Sequence, residues 1–387
     1  MTKVLFHVQH LLGIGHLRRA ALLVRGMRAA GLEVVFLSGG MPVADLDLAG
    51  AKVIQLPPAR SLDVGFKSLV DEHDQPLDAR FHEQRRDQVL AAFASERPDV
   101  VLLETFPFGR RAFRTELNSL IEAVHAQRQR PALLCSIRDI LVAKANPERN
   151  AGIVERIRLD FDGVLVHGDP AFVPLDASFP LVLDISDKLF YTGYVAETAP
   201  LPIGTAGEGQ VIVSAGGGAV GEGLLRAALA AKPRTALRDR TWRLLTGPNL
   251  PDAVYAELSR QAGEGVILER HRTDFPEMLA RCALSISQGG YNTILDILRA
   301  KARAVVVPFA AGAETEQTLR AELLAQKGVI HLVSESALEG GGLLGAVEKA
   351  LAAPIATLGG VALDGAARSA ELIRGFAQGN MNFRPRR

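Results

Sequence analysis

One pattern recurs along nearly the whole chain: a short apolar run, a turn of small residues, then an amphipathic helix. Two strands joined by a helix must run the same way to lie side by side, so the pattern dictates parallel sheets. In the first half it predicts strands at Val4–Val8, Val34–Ser38, Val53–Leu56, Val100–Leu103, Ala132–Ser136 and Gly163–Val166. Helices are expected at Leu17–Ala30, Leu77–Ser95, Arg110–Arg128 and Glu148–Asp160. The alternation then breaks at Tyr191–Gln210, where four glycines and two prolines read as an interdomain linker. It restarts with strands at Val211–Ser214, Trp242–Thr246, Val266–Leu268, Leu284–Ser287, Val305–Pro308 and Val329–Leu332. The helices between them are Ala219–Ala231, Asp252–Ala262, Phe275–Arg281, Tyr291–Ala300 and Glu314–Lys327. A last helix, Ala362–Phe376, precedes a basic tail. The fold class is therefore α/β, with two Rossmann-like halves in tandem. One stretch departs from the scheme: Pro57–Asp74 reads as a long irregular connection at the carboxyl edge of a strand, where such sheets bind ligands.

At 387 residues the chain is long enough for two domains of ~100–200 residues, each with its own core. An apolar fraction of 48% with 22% charged residues excludes general disorder. Lys plus Arg total 44 against 43 Asp plus Glu, a balance with no global pull toward nucleic acid. Cys135 and Cys282 sit far apart in apolar runs and fit neither a disulfide framework nor a paired metal spacing, which points to a reducing compartment. The N-terminal apolar stretch is interrupted by His7, Gln9 and His10 and does not read as a signal peptide. No run of ~18 uncharged apolar residues occurs, so a cytoplasmic location is expected.

Three segments carry candidate chemistry. Gly13-Ile14-Gly15-His16 follows the first strand, where glycines let backbone approach an anion and the next helix offers free N–H groups. It is not a dinucleotide fingerprint, because Arg18 stands where a third glycine belongs and Ser38-Gly39-Gly40 replaces the acidic ribose ligand. What remains is one imidazole, His16, at a helix N-terminus, a place that favours its neutral base form; the plainer role is a helix cap. Gly216-Gly217-Gly218 repeats the strand–glycine–helix arrangement in the second half, without the Lys-Ser/Thr of a P-loop. The third segment opens a helix with Gly289-Gly290, carries Thr293 near its start and puts Asp296 one turn on, a carboxylate placed to accept from a diol. Glu314 to Gln317 open the next helix; Asp296 and Glu316 also suit plain helix-dipole roles. The spacing of His7, His10 and His16 lacks flanking Asp or Cys and does not read as a metal site.

The order of these motifs, with GGxxTxxD and VPF ahead of the acidic/Gln cluster, resembles the GT-B glycosyltransferases, and more narrowly the MurG-like enzymes that move N-acetylglucosamine from UDP. The resemblance implies two Rossmann-like domains facing across a cleft, with the C-terminal helix returning to the first. The expected divisions are residues 1–195 for the acceptor, 196–360 for the donor, and 361–387 for the crossing helix and tail. It implies a hexosyltransferase that needs no cofactor and no metal, takes a UDP-sugar such as UDP-N-acetylglucosamine, and inverts the anomeric centre. By it, Gly13, Gly15 and His16 lie beside phosphates and acceptor, His16 being the base, and Gly216, Gly217 and Gly218 form the second phosphate loop. Gly289, Gly290 and Thr293 match the donor motif, and Asp296 the ribose ligand, where the family usually has Glu. Glu316 and Gln317 match a Gln-Gln pair at the donor sugar, and Arg272 falls in the segment that holds the base, where it would meet phosphate or be plain surface. Glu104, Arg110, Arg138 and Asp139 lie on strand-end loops toward the acceptor, with a structural Arg138–Asp139 pair as the alternative. The acceptor itself, a saccharide that is lipid-linked or small, stays open; a lipid-linked one would bring peripheral contact with the inner membrane face. Two other readings also stay open. The turn GIGHLRR is similar to that of the UDP-sugar hydrolase of pseudaminic acid synthesis, where water replaces the acceptor, and a non-catalytic nucleotide-sugar-binding subunit would share the fold.

Overall fold

The structure, a computed structural model, describes residues 1–12, 15–44, 46–63, 65–141, 146–198, 201, 204–216, 221–309, 315–354 and 361–380. The chain divides into two compact units, Met1–Glu197 with Ala362–Arg387, and Thr198–Val361. The first unit holds strands β1 (Lys3–Val8), β2 (Glu33–Gly40), β3 (Lys52–Ser61), β4 (Leu69–Val70), β5 (Val100–Glu104), β6 (Ala132–Arg138), β7 (Gly163–His167) and β8 (Leu189–Tyr191). Its helices are α1 (Gly15–Ala29), α2 (Ala79–Glu96), α3 (Arg114–His125) and α4 (Pro147–Asp160). The second unit holds β9 (Val211–Ser214), β10 (Trp242–Leu245), β11 (Val266–Glu269), β12 (Leu284–Ser287), β13 (Ala304–Val306) and β14 (His331–Leu332). Its helices are α5 (Glu222–Ala231), α6 (Asp252–Gln261), α7 (Phe275–Arg281), α8 (Tyr291–Ala300), α9 (Glu316–Gln326) and α10 (Gly342–Ala352). Helix α11 (Gly365–Ala377) completes the first unit.

The first sheet runs β4-β3-β2-β1-β5-β6-β7-β8, parallel except for the β3–β4 pair. The second runs β11-β10-β9-β12-β13-β14, all parallel. Each order reverses beside its first strand: β1 lies between β2 and β5, and β9 between β10 and β12. At such a reversal the outgoing loops diverge and leave a crevice at the carboxyl ends of the strands, the usual ligand site of open α/β sheets.

In the first unit Val4, Phe6 and Val8 of β1 pack with α1 and α11, while Leu5 packs with α2 and α3 on the opposite face. Strands covered on both faces are apolar at every position, which is why they stand out in the sequence. Helix α11 is seated against α1 at Gly26, where a Cβ would come within 2.9 Å of Ala366. Asp78 and Asn146 cap α2 and α4 by accepting from Phe81 and Arg149 N–H groups, and Pro147 opens α4 at a position that needs no donor.

The first unit departs from the sequence expectation in several places. The supposed irregular connection Pro57–Asp74 begins as strand: β3 continues to Ser61 and turns back through β4. Pro57 and Pro58 cannot donate to the ladder. A register shift between Ser38 and Gly40 accommodates them, and the Gln55 side-chain amide donates to Ser38 O at 2.9 Å and Gly40 O at 3.0 Å. The start of the supposed linker belongs to the first unit, since Tyr191 ends β8 and Tyr194, Val195 and Ala196 are buried. Helix α3 starts at Arg114, leaving Arg110 outside it with a left-handed φ of 61°.

A wholly buried polar network fixes the crevice side of this sheet. Arg85 of α2 uses all five donors: Nε to Glu116 Oε2 (2.6 Å), Nη1 to Gly39 O (2.9 Å) and Pro57 O (2.6 Å), Nη2 to Gln9 Oε1 (2.8 Å) and Glu116 Oε1 (2.7 Å). His7 of β1 donates from Nε2 to Glu116 Oε1 at 2.9 Å. Burial favours a neutral Glu116, but the bonds from Arg85 and His7 outweigh it and hold the carboxyl at about 2. A carboxyl so depressed stabilises the fold above its usual value of 4.5 and loses that contribution as pH falls toward 2. Glu116→Gln, which leaves Arg85 buried without its counter-ion, should cost about 3–5 kcal/mol at neutral pH. Urea unfolding across pH should show that deficit shrinking between pH 4.5 and 2; a deficit constant with pH would contradict the assignment.

Candidate active site at the two sheet reversals

In the first unit β1 delivers the loop that leads into α1, and β5 ends in Glu104 beside it. Glu104 is buried and accepts four hydrogen bonds. His16 Nδ1 (2.6 Å) and Arg19 Nη2 (2.7 Å) bind Oε1, while Arg110 binds Oε2 through Nη2 (2.8 Å) and Nε (3.2 Å). Burial alone would push Glu104 up, but Arg110, His16 and Arg19 hold it well below the ordinary carboxylate range. Arg110 reaches it from a strained backbone, in a loop where Thr105 also has positive φ.

The protons of His16 follow from its neighbours. A carboxylate only accepts and a guanidinium only donates. Nδ1 therefore carries the hydrogen toward Glu104, and Nε2 offers its lone pair to Arg138 Nη2 at 3.1 Å. Burial pushes the imidazole down to about 3; Glu104 opposes this, and Arg138 and Arg110 add to it. The His16 side chain keeps 23% of its surface exposed, against 1% for Glu104. The result is a neutral imidazole oriented by a buried carboxylate, the arrangement of a general base.

Further imidazoles line the surroundings. His167 is buried and held by Ser136 and Thr192; Thr192 spends its hydroxyl proton on Gly193 O, so it accepts from His167 Nδ1, and Ser136 donates to Nε2. Burial and Arg19 keep His167 neutral. His10 is buried with no partner at Nδ1 among the described residues, and burial lowers it as well. A Cβ at Gly40 would lie 2.3 Å from that nitrogen.

The sequence candidates in this unit separate clearly. His16, Glu104, Arg110 and Arg138 are brought together. Asp139 is fully buried and accepts from its neighbour Ile140 N–H at 2.9 Å, so it is part of the fold rather than of an open acceptor surface. Arg19 was missed, although its signal was present: it lies three residues after His16 on α1, and a buried arginine requires a partner. His7 and His16 are committed to separate carboxylates. Among the described residues no group of three or more His, Cys, Asp or Glu is placed to hold a metal.

In the second unit the crevice lies at the carboxyl ends of β9 and β12. Gly216 follows β9 with φ of +72°, a conformation suited to glycine, and a Cβ there would face Gln288 Oε1 at 3.5 Å. Gly289 is packed against Val306 and Pro308, and Gly290 opens α8 with no side-chain cap. Thr293 lies in the first turn of α8 and Asp296 one turn on, both half-buried, at a helix start of the kind that suits an anion. Gln317 accepts from Phe309 N–H at 3.3 Å and ties the loop after β13 to α9.

Two residues are engaged otherwise than the sequence expectation has it. Glu316 is a buried ion pair with Arg320, 2.9 Å away, whose guanidinium stacks over Tyr291. Arg272 is clamped by both oxygens of Asp274 (2.8 and 2.7 Å) and lies 3.5 Å from Glu269. Gly13, Gly217, Gly218 and Glu314 lie outside the described residues.

This topology and these crevices meet known proteins at this point. Residues 211–357 match the glycosyltransferase family 28 C-terminal domain. Over 108 residues the chain is 28% identical to a UDP-N-acetylglucosamine–N-acetylmuramyl-(pentapeptide) pyrophosphoryl-undecaprenol N-acetylglucosamine transferase of Leuconostoc mesenteroides. That match spans 28% of this chain and 30% of the relative's length. MurG of Acinetobacter baumannii superposes with a TM-score of 0.58 at 15% identity, over 97% of this chain and 99% of that one. The glycosyltransferase SsfS6 of Streptomyces sp. SF2575, complexed with thymidine diphosphate, gives 0.56 at 16%, over 98% and 100%. The fold is that of the GT-B glycosyltransferases. Within it, residues 211–357 carry the family 28 C-terminal domain, and the fold is the one shared with MurG and SsfS6.

The two sides of the His16–Glu104 bond should differ in their weight for folding. Glu104→Gln strands two largely buried guanidiniums and should cost about 3–5 kcal/mol in denaturant unfolding. His16→Ala leaves Glu104 with Arg19 and Arg110 and should cost less, about 1.5 kcal/mol. Equal losses would contradict a site in which His16 is dispensable to the fold.

Proposed function

We propose that the chain transfers a sugar from a nucleotide diphosphate donor to an acceptor hydroxyl, with the second unit holding the donor and the first unit the acceptor. The observation that carries this is the state of His16: neutral, with 23% of its side chain exposed and its lone-pair nitrogen turned away from the carboxylate that orients it. His16 Nε2 takes the acceptor proton as the acceptor oxygen attacks the anomeric carbon from the face opposite the leaving group, inverting that centre. The bond to the diphosphate breaks, and the charge that develops there meets the α8 amides and the Gly216 turn. On this reading Asp296 accepts from the ribose hydroxyls, and the leaving group needs no metal ion. A UDP-sugar such as UDP-N-acetylglucosamine is the preferred donor, supported by the activity of the Leuconostoc relative and by the thymidine diphosphate bound to SsfS6. No helix among the described residues is long and apolar enough to cross a membrane. A lipid-linked acceptor would therefore be met at the membrane surface.

The test is a thermal-shift and turnover screen against UDP-, dTDP- and GDP-sugars. A donor at 100 times its Kd should add about 2.7 kcal/mol. His16→Ala should keep that shift and lower turnover about 10²–10⁴-fold. Asp296→Ala should weaken the shift itself. Release of free sugar without acceptor, abolished by His16→Ala, would assign hydrolysis instead. No shift with any nucleotide sugar would overturn the donor site.

A further inference from the structure

The base nitrogen of His16 is occupied. Its Nδ1 hydrogen is committed to Glu104, and its single in-plane lone pair at Nε2 accepts from Arg138 at 3.1 Å. A neutral imine nitrogen takes one strong hydrogen bond, so an acceptor hydroxyl cannot donate to Nε2 while Arg138 holds it. Arg138 is the last residue of β6, half-buried at the mouth of the crevice, with the chain leaving the sheet directly after it. Its guanidinium is a planar fork that binds carboxylate or phosphate through two parallel bonds, and these charge-assisted bonds are stronger than one bond to a neutral ring nitrogen.

We propose that Arg138 is a latch on the base: it closes Nε2 at rest, and an oxyanion carried by a substrate draws it off and frees the lone pair. This rests on reading His16 as the base. The oxyanion is a phosphate or carboxylate, and it has two possible sources, the donor diphosphate or an acid group on the acceptor near the reacting hydroxyl. In either case the base is exposed only when a charged substrate is in place, so a neutral hydroxyl compound, or water, meets a closed site. Arg138 is on this account a positioning and specificity residue.

The surroundings fix how the latch is read. Glu104 of β5 faces His16 from one side, Arg110 follows in the next loop, Arg19 lies one turn along α1, and Arg138 closes the far side. His167 of β7 and His10 after β1 feel the same charges and are lowered by burial. Removing the Arg138 cation takes away one of the two charges that depress His16, so the ring should then titrate at higher pH.

The experiment is ¹⁵N NMR of histidine-labelled full-length protein, with His16 assigned by His16→Asn, in the wild type and in Arg138→Gln and Arg138→Lys. Inorganic phosphate added to the wild type should shift His16 Nε2 toward the value of an unbonded imine nitrogen, and the response should vanish in Arg138→Gln. Arg138→Gln should raise the His16 titration by about 1 pH unit. Arg138→Lys, which keeps the charge and loses the fork, should leave that titration low and weaken the phosphate response. UDP producing the same shift would place the oxyanion on the donor; phosphate acting where UDP does not would place it on the acceptor. No phosphate-dependent shift in the wild type, the same shift in Arg138→Gln, or a His16 titration unmoved by Arg138→Gln would each overturn the latch. None of these readouts needs turnover, so they fail independently of the transferase reading, which falls instead if His16→Ala retains full activity.

Discussion

Glu104 is a carboxylate out of water whose four hydrogen bonds set the positions of His16, Arg19 and Arg110. A lone buried carboxylate would take up a proton; here the guanidiniums keep it charged, and it in turn makes them tolerable inside the fold. The charge on Glu104 decides the His16 tautomer, and the tautomer decides which nitrogen can do chemistry. Glu116 solves the same problem nearby with Arg85 and His7, but every member of that network is buried. Two carboxylate–arginine–histidine clusters thus stand close to the same sheet reversal. The one whose imidazole reaches solvent can act on a substrate, and the other holds the ends of β1, β2 and β3 in register.

The second unit builds its crevice from different material. Among the described cationic side chains near the strand ends, Arg270, Arg272 and Arg320 are paired with Asp252, Asp274 and Glu316, and the proposed anion cradle is backbone: the Gly216 turn and the start of α8. Amides placed by a helix do not titrate and need little reorganisation, which suits a diphosphate whose charge rises during reaction. On the proposed function, a base that must be poised and an anion cradle that must be constant are thereby built from the two kinds of group best suited to each.

Much of this was legible in the sequence, for physical reasons. Strands covered on both faces are apolar throughout, so β1, β5, β6, β7, β9 and β12 stood out. Open α/β sheets bind ligands at their strand ends, so the sequence offers His16, Glu104, Arg110, Gly216 and Gly290 as candidates, and the structure puts them at strand ends beside the reversals. The two-residue β4 and three-residue β8 are too short for any period to show, and glycines at 340–342 and 345 obscured the start of α10. Partner choice was the harder matter. Arg19 reads as the polar face of α1 until β5 closes over it, and Arg85 and Glu116 read as ordinary helix surface until α2 and α3 meet. Arg272 and Glu316 stood where charged ligands would be expected, and only the three-dimensional neighbourhood shows Asp274 and Arg320 engaging them.

The central claim is that the second unit holds a nucleoside diphosphate at its sheet reversal while the base belongs to the first. A crystal structure of the protein with UDP tests it most directly. The account predicts the diphosphate at the carboxyl ends of β9 and β12, taking hydrogen bonds from the Gly216 turn and the first amides of α8, with the ribose within reach of Asp296. UDP bound instead at the ends of β1 and β5, or away from both reversals, would contradict it.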